Sequence, residues 1–226
     1  MNQDFQKSLE AVWEEREVSV YPTYFGPFSR GVFVLSADLF NTVFGQTAID
    51  PRWLHHGVFE FSPTASRKSW LYVTSGLSNP WETDPSEYDA SKFSEIGIEH
   101  VIESLNQSTW PIMLLERILA YNILLCAGRY GDPSSLDYGH RIPLGTPITP
   151  ENETGSFALS HILIGKPEHY PSSFTVASGK VNLLHLVGIT ESERDFAKKH
   201  SSDTLVDVLK KNNAYPVTNP KRLSVV

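Results

Sequence analysis

The chain has 226 residues, of which 40% are hydrophobic and 20% charged, and its formal net charge is −7. This length suits one core, so we expect a single domain over residues 1–226. The acidic charge argues against a nucleic-acid partner, because phosphate contacts need clustered Lys and Arg, whereas it is compatible with a basic protein partner. Fifteen Pro and fourteen Gly favour an α+β fold over a bundle of long helices.

The N-terminal region predicts a helix, an extended segment and a second helix. An apolar stripe with helical spacing comprises Phe5, Leu9, Val12 and Trp13. Residues 18–24 are expected to be extended, because they contain Pro22 and run into Gly26. Ser36 is suited to cap a helix that ends at Gly45.

Segments rich in β-branched and aromatic residues predict the strands of a mixed, mostly antiparallel sheet packed against helices. They cover residues 31–35, 57–61, 70–77, 97–105, 161–164, 174–176 and 181–189. The last of these has few polar side chains and is expected near the centre of the sheet.

Three further helices are predicted in the second half of the chain. The first covers residues 111–128 and is apolar around nearly its whole circumference, so it should be deeply buried. The next begins at a capping box formed by Thr190 and Glu193, and the last begins near Asp203. Residues 129–150 form a Gly/Pro-rich loop, and a loop of that length is often functional.

The expected location is the cytoplasm, without a membrane partner. The N-terminus lacks the apolar core of a signal peptide, and Glu116 and Arg117 interrupt the longest apolar stretch. Cys126 is the sole cysteine and lies in an apolar setting, which is typical of a buried thiol.

Motifs for catalysis, metal binding and cofactors are absent from the sequence. The histidines lack zinc-ligand spacing, and neither a nucleophile elbow nor a phosphate-binding glycine loop occurs. We therefore expect no metal, no cofactor and no catalytic residue. An uncharacterised hydrolase that uses Asp50, His55 or His140 is the alternative.

Two turns offer candidate contacts for a protein partner. Asn79 and Pro80 enforce a turn that presents Trp81 beside an acidic loop, and aromatic anchors carry much of the energy of protein interfaces. Asp137 and His140 lie on the long Gly/Pro-rich loop. These four residues, Asn79, Trp81, Asp137 and His140, are the predicted partner-binding residues, whereas residues 70–77 are interpreted mainly as a buried strand.

Several motifs, in order, resemble the Suppressor of fused family over about residues 30–212. The segment Trp70-Leu-Tyr-Val-Thr-Ser-Gly-Leu-Ser-Asn79 resembles that family's Trp/His-Tyr-x-Ser-x-Gly-Leu-Ser-Asp signature. The remaining similarities are Gly97-Ile98-Glu99, Trp110-Pro111, Gly131-Asp132 followed by His140-Arg-Ile-Pro-Leu144, and the strand at 183–189.

This resemblance implies the fold of the family's N-terminal domain and a non-catalytic, protein-binding role. Animal members with two domains bind a transcription factor of the Hedgehog pathway, but here only the N-terminal domain is expected, and Asn79 replaces their Asp. The chain is more similar to compact bacterial members, for which a role as immunity proteins has been suggested. A basic toxin domain would then be the partner, and the sequence leaves the oligomeric state open.

Overall fold

The fold is described from a computed structural model for residues 3–149 and 159–226. Two predicted segments have a boundary outside the described residues: the single domain begins at residue 1, and the Gly/Pro-rich loop ends at Pro150.

Within the described part of the chain, nine strands form one sheet in the order β1-β2-β3-β4-β8-β6-β5, with β7 beside β8 and β9 beside β4. Among these described strands, β4 pairs in parallel with β8 and with β9, and the other neighbours are antiparallel. The predicted mixed, mostly antiparallel sheet is therefore confirmed. The strands are β1 Phe28–Val34, β2 Gly57–Phe61, β3 Trp70–Ser75, β4 Phe93–Ser104, β5 Arg141–Pro143, β6 His161–Gly165, β7 Ser173–Val176, β8 Gly179–Ile189 and β9 Val217–Thr218.

The central position predicted for the strand at 181–189 is also confirmed. It corresponds to β8, which pairs with β4, β6 and β7 and is almost fully buried. A strand that is covered on both faces needs apolar side chains in both directions, and this explains its continuous apolar sequence.

Helices cover both faces of the sheet. Their bounds are α1 Gln3–Glu14, α2 Tyr21–Phe25, α3 Ala37–Phe44, α4 Trp110–Cys126, α5 Glu191–Lys199 and α6 Ser202–Lys211. Tyr72 packs in the core beneath α3 and α4, whereas its neighbours Leu71 and Val73 pack with residues of α1 and α2. Because side chains alternate along a strand, these two cores lie on opposite faces. A third cluster joins α5 and α6 to β6 and β8.

The prediction of an extended segment at 18–24 is wrong. A π-helical turn at Glu15–Val20 continues α1 into α2, so that the chain remains helical up to Gly26. Pro22 is the second residue of α2 and follows directly on the π-helical turn, whose last hydrogen bond runs from the Tyr21 amide to Arg16 O. From the end of α1 to the end of α2 the buried residues are Val12, Arg16, Tyr21 and Phe25. The spacing between Arg16 and Tyr21 is five residues instead of four, and the π-helical turn accommodates this extra residue.

Local signals at three helix ends are confirmed. Ser36 accepts a hydrogen bond from the Leu39 amide, and Gly45 ends α3 with a positive φ of 64°. Thr190 and Glu193 form the predicted capping box of α5. The long loop departs from the prediction, because it contains the short strand β5, which pairs with β6.

Candidate partner-binding site

The residues of the family-like signature form a buried polar network around Glu99 on β4. This carboxylate is fully buried and accepts hydrogen bonds from Thr74 Oγ1 at 2.6 Å and from the Gly76 amide at 2.9 Å. It also accepts from the Ser78 amide at 3.1 Å and the Ser78 hydroxyl at 2.7 Å. The carboxylate thereby fixes the turn that follows β3.

Arg16, on the π-helical turn, enters the same network from the opposite side. Its side chain is 1% exposed and lies 3.9 Å from the Glu99 carboxylate. It donates to Ser78 Oγ at 2.9 Å, to Asn79 Oδ1 at 2.7 Å and to Ser75 Oγ at 2.7 Å. A buried charge needs polar partners, and these contacts, together with an ion pair to Glu17 at 3.1 Å, hold the first helical segment and the signature turn together.

The interpretation of residues 70–77 as a buried strand is confirmed, since β3 and the two residues after it are buried apart from Trp70. Asn79 is buried as well, with only 1% exposure. Its amide oxygen faces Arg16, which fixes the orientation of the side chain. Asn79 can therefore contribute to recognition only through its remaining amide group or by shaping the turn.

A cavity of about 380 Å³ opens on the outer side of this turn. We call it the aromatic pocket, because Trp53 and Trp81 contribute to its walls. The 3-10 helix Pro51–His55 and β4 supply other walls, and the C-terminal end of α4 supplies Ile123 and Cys126. The pocket thus lies where four separate parts of the chain meet.

Trp81 is held at the pocket by two other rings. Its ring centroid lies 5.7 Å from that of Trp13 and 5.6 Å from that of His55. Trp13 and His55 are themselves 5.7 Å apart, so the three rings form a triangle. Trp81 remains half-buried, which leaves part of the indole accessible.

Two donor atoms at the aromatic pocket, Nδ2 of Asn79 and Nε1 of Trp81, are buried without a hydrogen-bond partner among the described residues. The His56 ring, by contrast, interacts with the backbone carbonyl groups of Arg52 and Trp53. Burial lowers the pKa of His56 to about 4, so its imidazole is neutral at pH 7. Buried polar groups are nearly always paired, so a ligand or ordered water at this pocket would satisfy these two donors.

The rim of the aromatic pocket is acidic. Asp50, Glu82 and Glu95 line it with a single guanidinium, that of Arg52. Arg52 forms ion pairs with Asp50 and Glu82, while Glu95 accepts only long hydrogen bonds, at 3.3 Å from Thr83 Oγ1 and 3.5 Å from the Glu82 amide. Burial raises the pKa of Glu95. Glu95 forms no ion pair with a described residue, and burial disfavours the charged form of its carboxyl group, which a cationic partner would stabilise.

The backbone at Glu95 adopts a conformation that is unusual for a residue other than glycine. Its φ is 55°, and it falls within the irregularity that shifts the register between β4 and β8. Such left-handed conformations cost free energy and tend to cluster at functional sites.

Asp137 and His140 lie beside a different cavity. Both are exposed, and the Asp137 amide donates to Nδ1 of His140 at 3.2 Å. His140 lines a cavity of about 560 Å³. Helix α4 contributes Tyr121 and Leu125 to this cavity, whereas it contributes Ile123 and Cys126 to the aromatic pocket. The four predicted partner-binding residues thus fall into two separate places.

The residues of the hydrolase alternative are not brought together. Asp50 binds Arg52, whose hydrogen bonds lower the pKa of the Asp50 carboxyl group. His55 packs against Trp13 and Trp81, and His140 lines the other cavity. Among residues 3–149 and 159–226, no group of three or more His, Cys, Asp or Glu side chains could hold a metal ion.

Sequence reasoning missed Arg16, Trp13 and Glu95 as parts of this site. Arg16 follows Val12 by four residues, so it continues the apolar stripe of α1, but an arginine in that position is normally interpreted as surface. Glu95 carries no local signal, because its placement depends on the β4 irregularity.

No helix in the described part of the chain is long and apolar enough to span a membrane.

Comparison with known proteins agrees with the fold and the motifs. The family model described as Suppressor of fused protein matches residues 52–223. No curated protein gives a match.

Solved structures of the same family share the fold. A Suppressor of fused homologue from Neisseria gonorrhoeae is 17% identical, with a TM-score of 0.58 and coverage of 100% of this chain and 98% of that one. The Sufu–Fu complex gives 18% identity, a TM-score of 0.58 and coverage of 83% and 89%. Drosophila Suppressor of Fused is 16% identical, with a TM-score of 0.58 and coverage of 83% of this chain but 50% of its own. Since the family model covers most of its length, the chain belongs to the Suppressor of fused family.

Proposed function

We propose that this chain is a non-catalytic protein-binding domain whose aromatic pocket receives a basic side chain of its partner. The observation that supports the proposal is the pair of unpaired donors, Nδ2 of Asn79 and Nε1 of Trp81, beneath an acidic rim. A pocket of this kind becomes satisfied when a ligand supplies the missing partners.

The chemistry of the walls defines the ligand. Glu95 offers a carboxylate to a Lys or Arg side chain, and the Trp81 ring offers a face for cation–π contact. The amide of Asn79 and the indole N–H of Trp81 can donate to backbone carbonyl groups of the same segment. A peptide segment with one basic residue matches all of these groups, whereas a free anion would meet the carboxylates.

Protein binding also accords with the family, because one structural neighbour is the Sufu–Fu complex. Within this proposal we favour an immunity protein that neutralises a basic toxin domain in the cytoplasm. The net charge of −7 would steer a basic partner toward the chain. The exposed residues Asp137 and His140 are proposed as a second contact on the other flank of α4.

Catalysis receives no support from the arrangement of the side chains. Asp50, His55 and His140 occupy three different settings, and Asp50 is engaged by Arg52. We therefore do not propose a hydrolase.

Co-expression of the chain with candidate toxin domains encoded nearby tests the proposal. We expect one of them to co-purify with the chain and to lose its toxicity in cells that also express the chain. Absence of a stable complex and of protection would refute the immunity role.

The variant Trp81→Ala tests the pocket within such a complex. We expect about a ten-fold or greater loss of affinity, because a desolvated aromatic anchor dominates many interfaces, with a smaller fall in melting temperature. Trp110→Ala is the matched control, since Trp110 is also half-buried but does not line the aromatic pocket. A large fall in melting temperature with unchanged affinity would identify Trp81 as a core residue only.

A further inference from the structure

The cavity beside His140 differs in charge from the rest of this acidic protein. We call it the basic cleft, because Arg141, Arg194 and Lys198 line it together with His140 and His161. Among the described residues that line it none is a carboxylate, although the whole chain carries a net charge of −7. The fold therefore collects positive charge from β5 and α5 at one place.

Part of this positive charge has no counter-ion among the described residues. Arg194 is balanced, since it forms ion pairs with Glu191 and Asp195, both at 2.8 Å. Arg141 instead donates to the Ser202 hydroxyl at 2.5 Å, and neither Arg141 nor Lys198 pairs with a described carboxylate. Two cations thus line the cleft without an ion pair to any carboxylate of residues 3–149 and 159–226.

The floor of the basic cleft is apolar. Leu125 and Tyr121 of α4 lie on one side, and Leu136 and Ile142 contribute from the long loop and β5. With a volume of about 560 Å³, the cleft is large enough for a bulky side chain as well as charged groups.

The backbone of the cleft is unsuited to a dedicated phosphate site. Such sites present free backbone amides, as in a helix N-terminus or a glycine-rich loop. Here the Ser134, Leu136 and Gly139 amides already donate, to Leu125 O at 3.2 Å, Asn122 Oδ1 at 2.7 Å and Ile164 O at 2.8 Å. Recognition would rest on separated cationic side chains and the apolar floor, which suits an extended peptide.

We propose that the basic cleft binds an acidic segment of a protein, in which Asp or Glu side chains meet Arg141 and Lys198 while an apolar side chain occupies the floor. This proposal does not depend on a ligand in the aromatic pocket, which has the opposite charge and different lining residues. Binding at the aromatic pocket and binding at the basic cleft can therefore be tested independently.

The test measures the affinity of a fluorescent ten-residue peptide of Asp and Glu with Leu-Phe at its centre. The variant Lys198→Glu should weaken binding by about five-fold or more, because charge reversal replaces an attraction by a repulsion. Lys199→Glu is the matched control, since Lys199 is also exposed on α5 but does not line the cleft. It should change the affinity by less than about two-fold.

Three outcomes would overturn the proposal. The first is no binding of the peptide at millimolar concentration, and the second is an equal loss of affinity in Lys198→Glu and Lys199→Glu. The third is equal binding of a peptide in which Ser replaces Leu-Phe, together with full displacement by inorganic phosphate, which would reveal a general anion site. Trp81→Ala should leave peptide affinity unchanged, and this separates the result from the fate of the aromatic pocket.

Discussion

Arg16 shows how one buried side chain prepares the aromatic pocket. It donates hydrogen bonds to three residues of the signature turn, including Asn79 through its Oδ1 atom. This contact leaves Nδ2 of Asn79 as the free donor at the pocket. An unpaired buried charge would cost several kcal/mol, so the turn is held firmly in this arrangement. The orientation of Asn79, and with it the proposed contact to a partner, therefore depends on a residue 63 positions earlier in the chain.

His100 is a second buried residue whose polar atoms have no partner. It lies on β4, fully buried, and neither ring nitrogen makes a hydrogen bond to a described residue. Burial lowers its pKa to about 3. As pH falls below about 6.5, the unfolded chain gains a proton that the folded chain cannot accept. His100 therefore favours unfolding increasingly between pH 6.5 and 3, and its effect is absent above that window.

Replacement of this residue by His100→Leu should remove that acid sensitivity. The free energy of unfolding is measured with urea for the variant and the wild type at pH 5 and at pH 7. The difference between variant and wild type should favour the variant by about 2 kcal/mol more at pH 5 than at pH 7. The control Ile102→Val, on the same face of β4, should shift the free energy of unfolding equally at both. If the stability difference between His100→Leu and the wild type were the same at pH 5 and pH 7, the imidazole would accept a proton inside the fold.

Element boundaries were predictable where the pattern was local. The helix from Ser36 to Gly45 and the strand β2 follow from capping residues and β-branched composition, and both are confirmed. The helical course of residues 15–25 was not predictable, since the buried position after Val12 is occupied by a charged residue, Arg16, and the π-helical turn changes the spacing of the stripe. The strand β5 has only three residues, and it exists because β6 offers a partner.

The turn after β3 requires glycine at position 76. Gly76 has a φ of 135°, and an added Cβ would lie 2.4 Å from the His56 ring. Gly76→Ala should therefore lower the free energy of unfolding by more than about 2 kcal/mol, because strain and a buried clash combine. Gly31→Ala is the control, since nothing lies within 4 Å of its added Cβ. Equal and small effects in urea unfolding would show that the turn relaxes freely.

At the scale of the whole molecule, the C-terminal half of α4 separates two cavities of opposite charge. Asp50, Glu82 and Glu95 come from distant parts of the chain and meet at the aromatic pocket, while Arg141 and Lys198 meet at the basic cleft. The net charge of −7 does not reveal these two regions, because it sums all charged residues regardless of where they lie on the surface. The sequence could suggest Trp81 and His140 as candidates, but only the sheet topology shows that they lie in different places.

The indole N–H signal of Trp81 in a nitrogen–proton NMR spectrum tests the central claim most directly. The chain has five tryptophans, so the indole region is simple, and Trp81→Phe assigns the signal. On addition of the partner recovered by co-purification, the Trp81 signal should move downfield, as its unpaired N–H gains an acceptor, while the Trp110 signal stays in place. Formation of the complex with no change in the Trp81 signal would contradict a partner-binding role for the aromatic pocket.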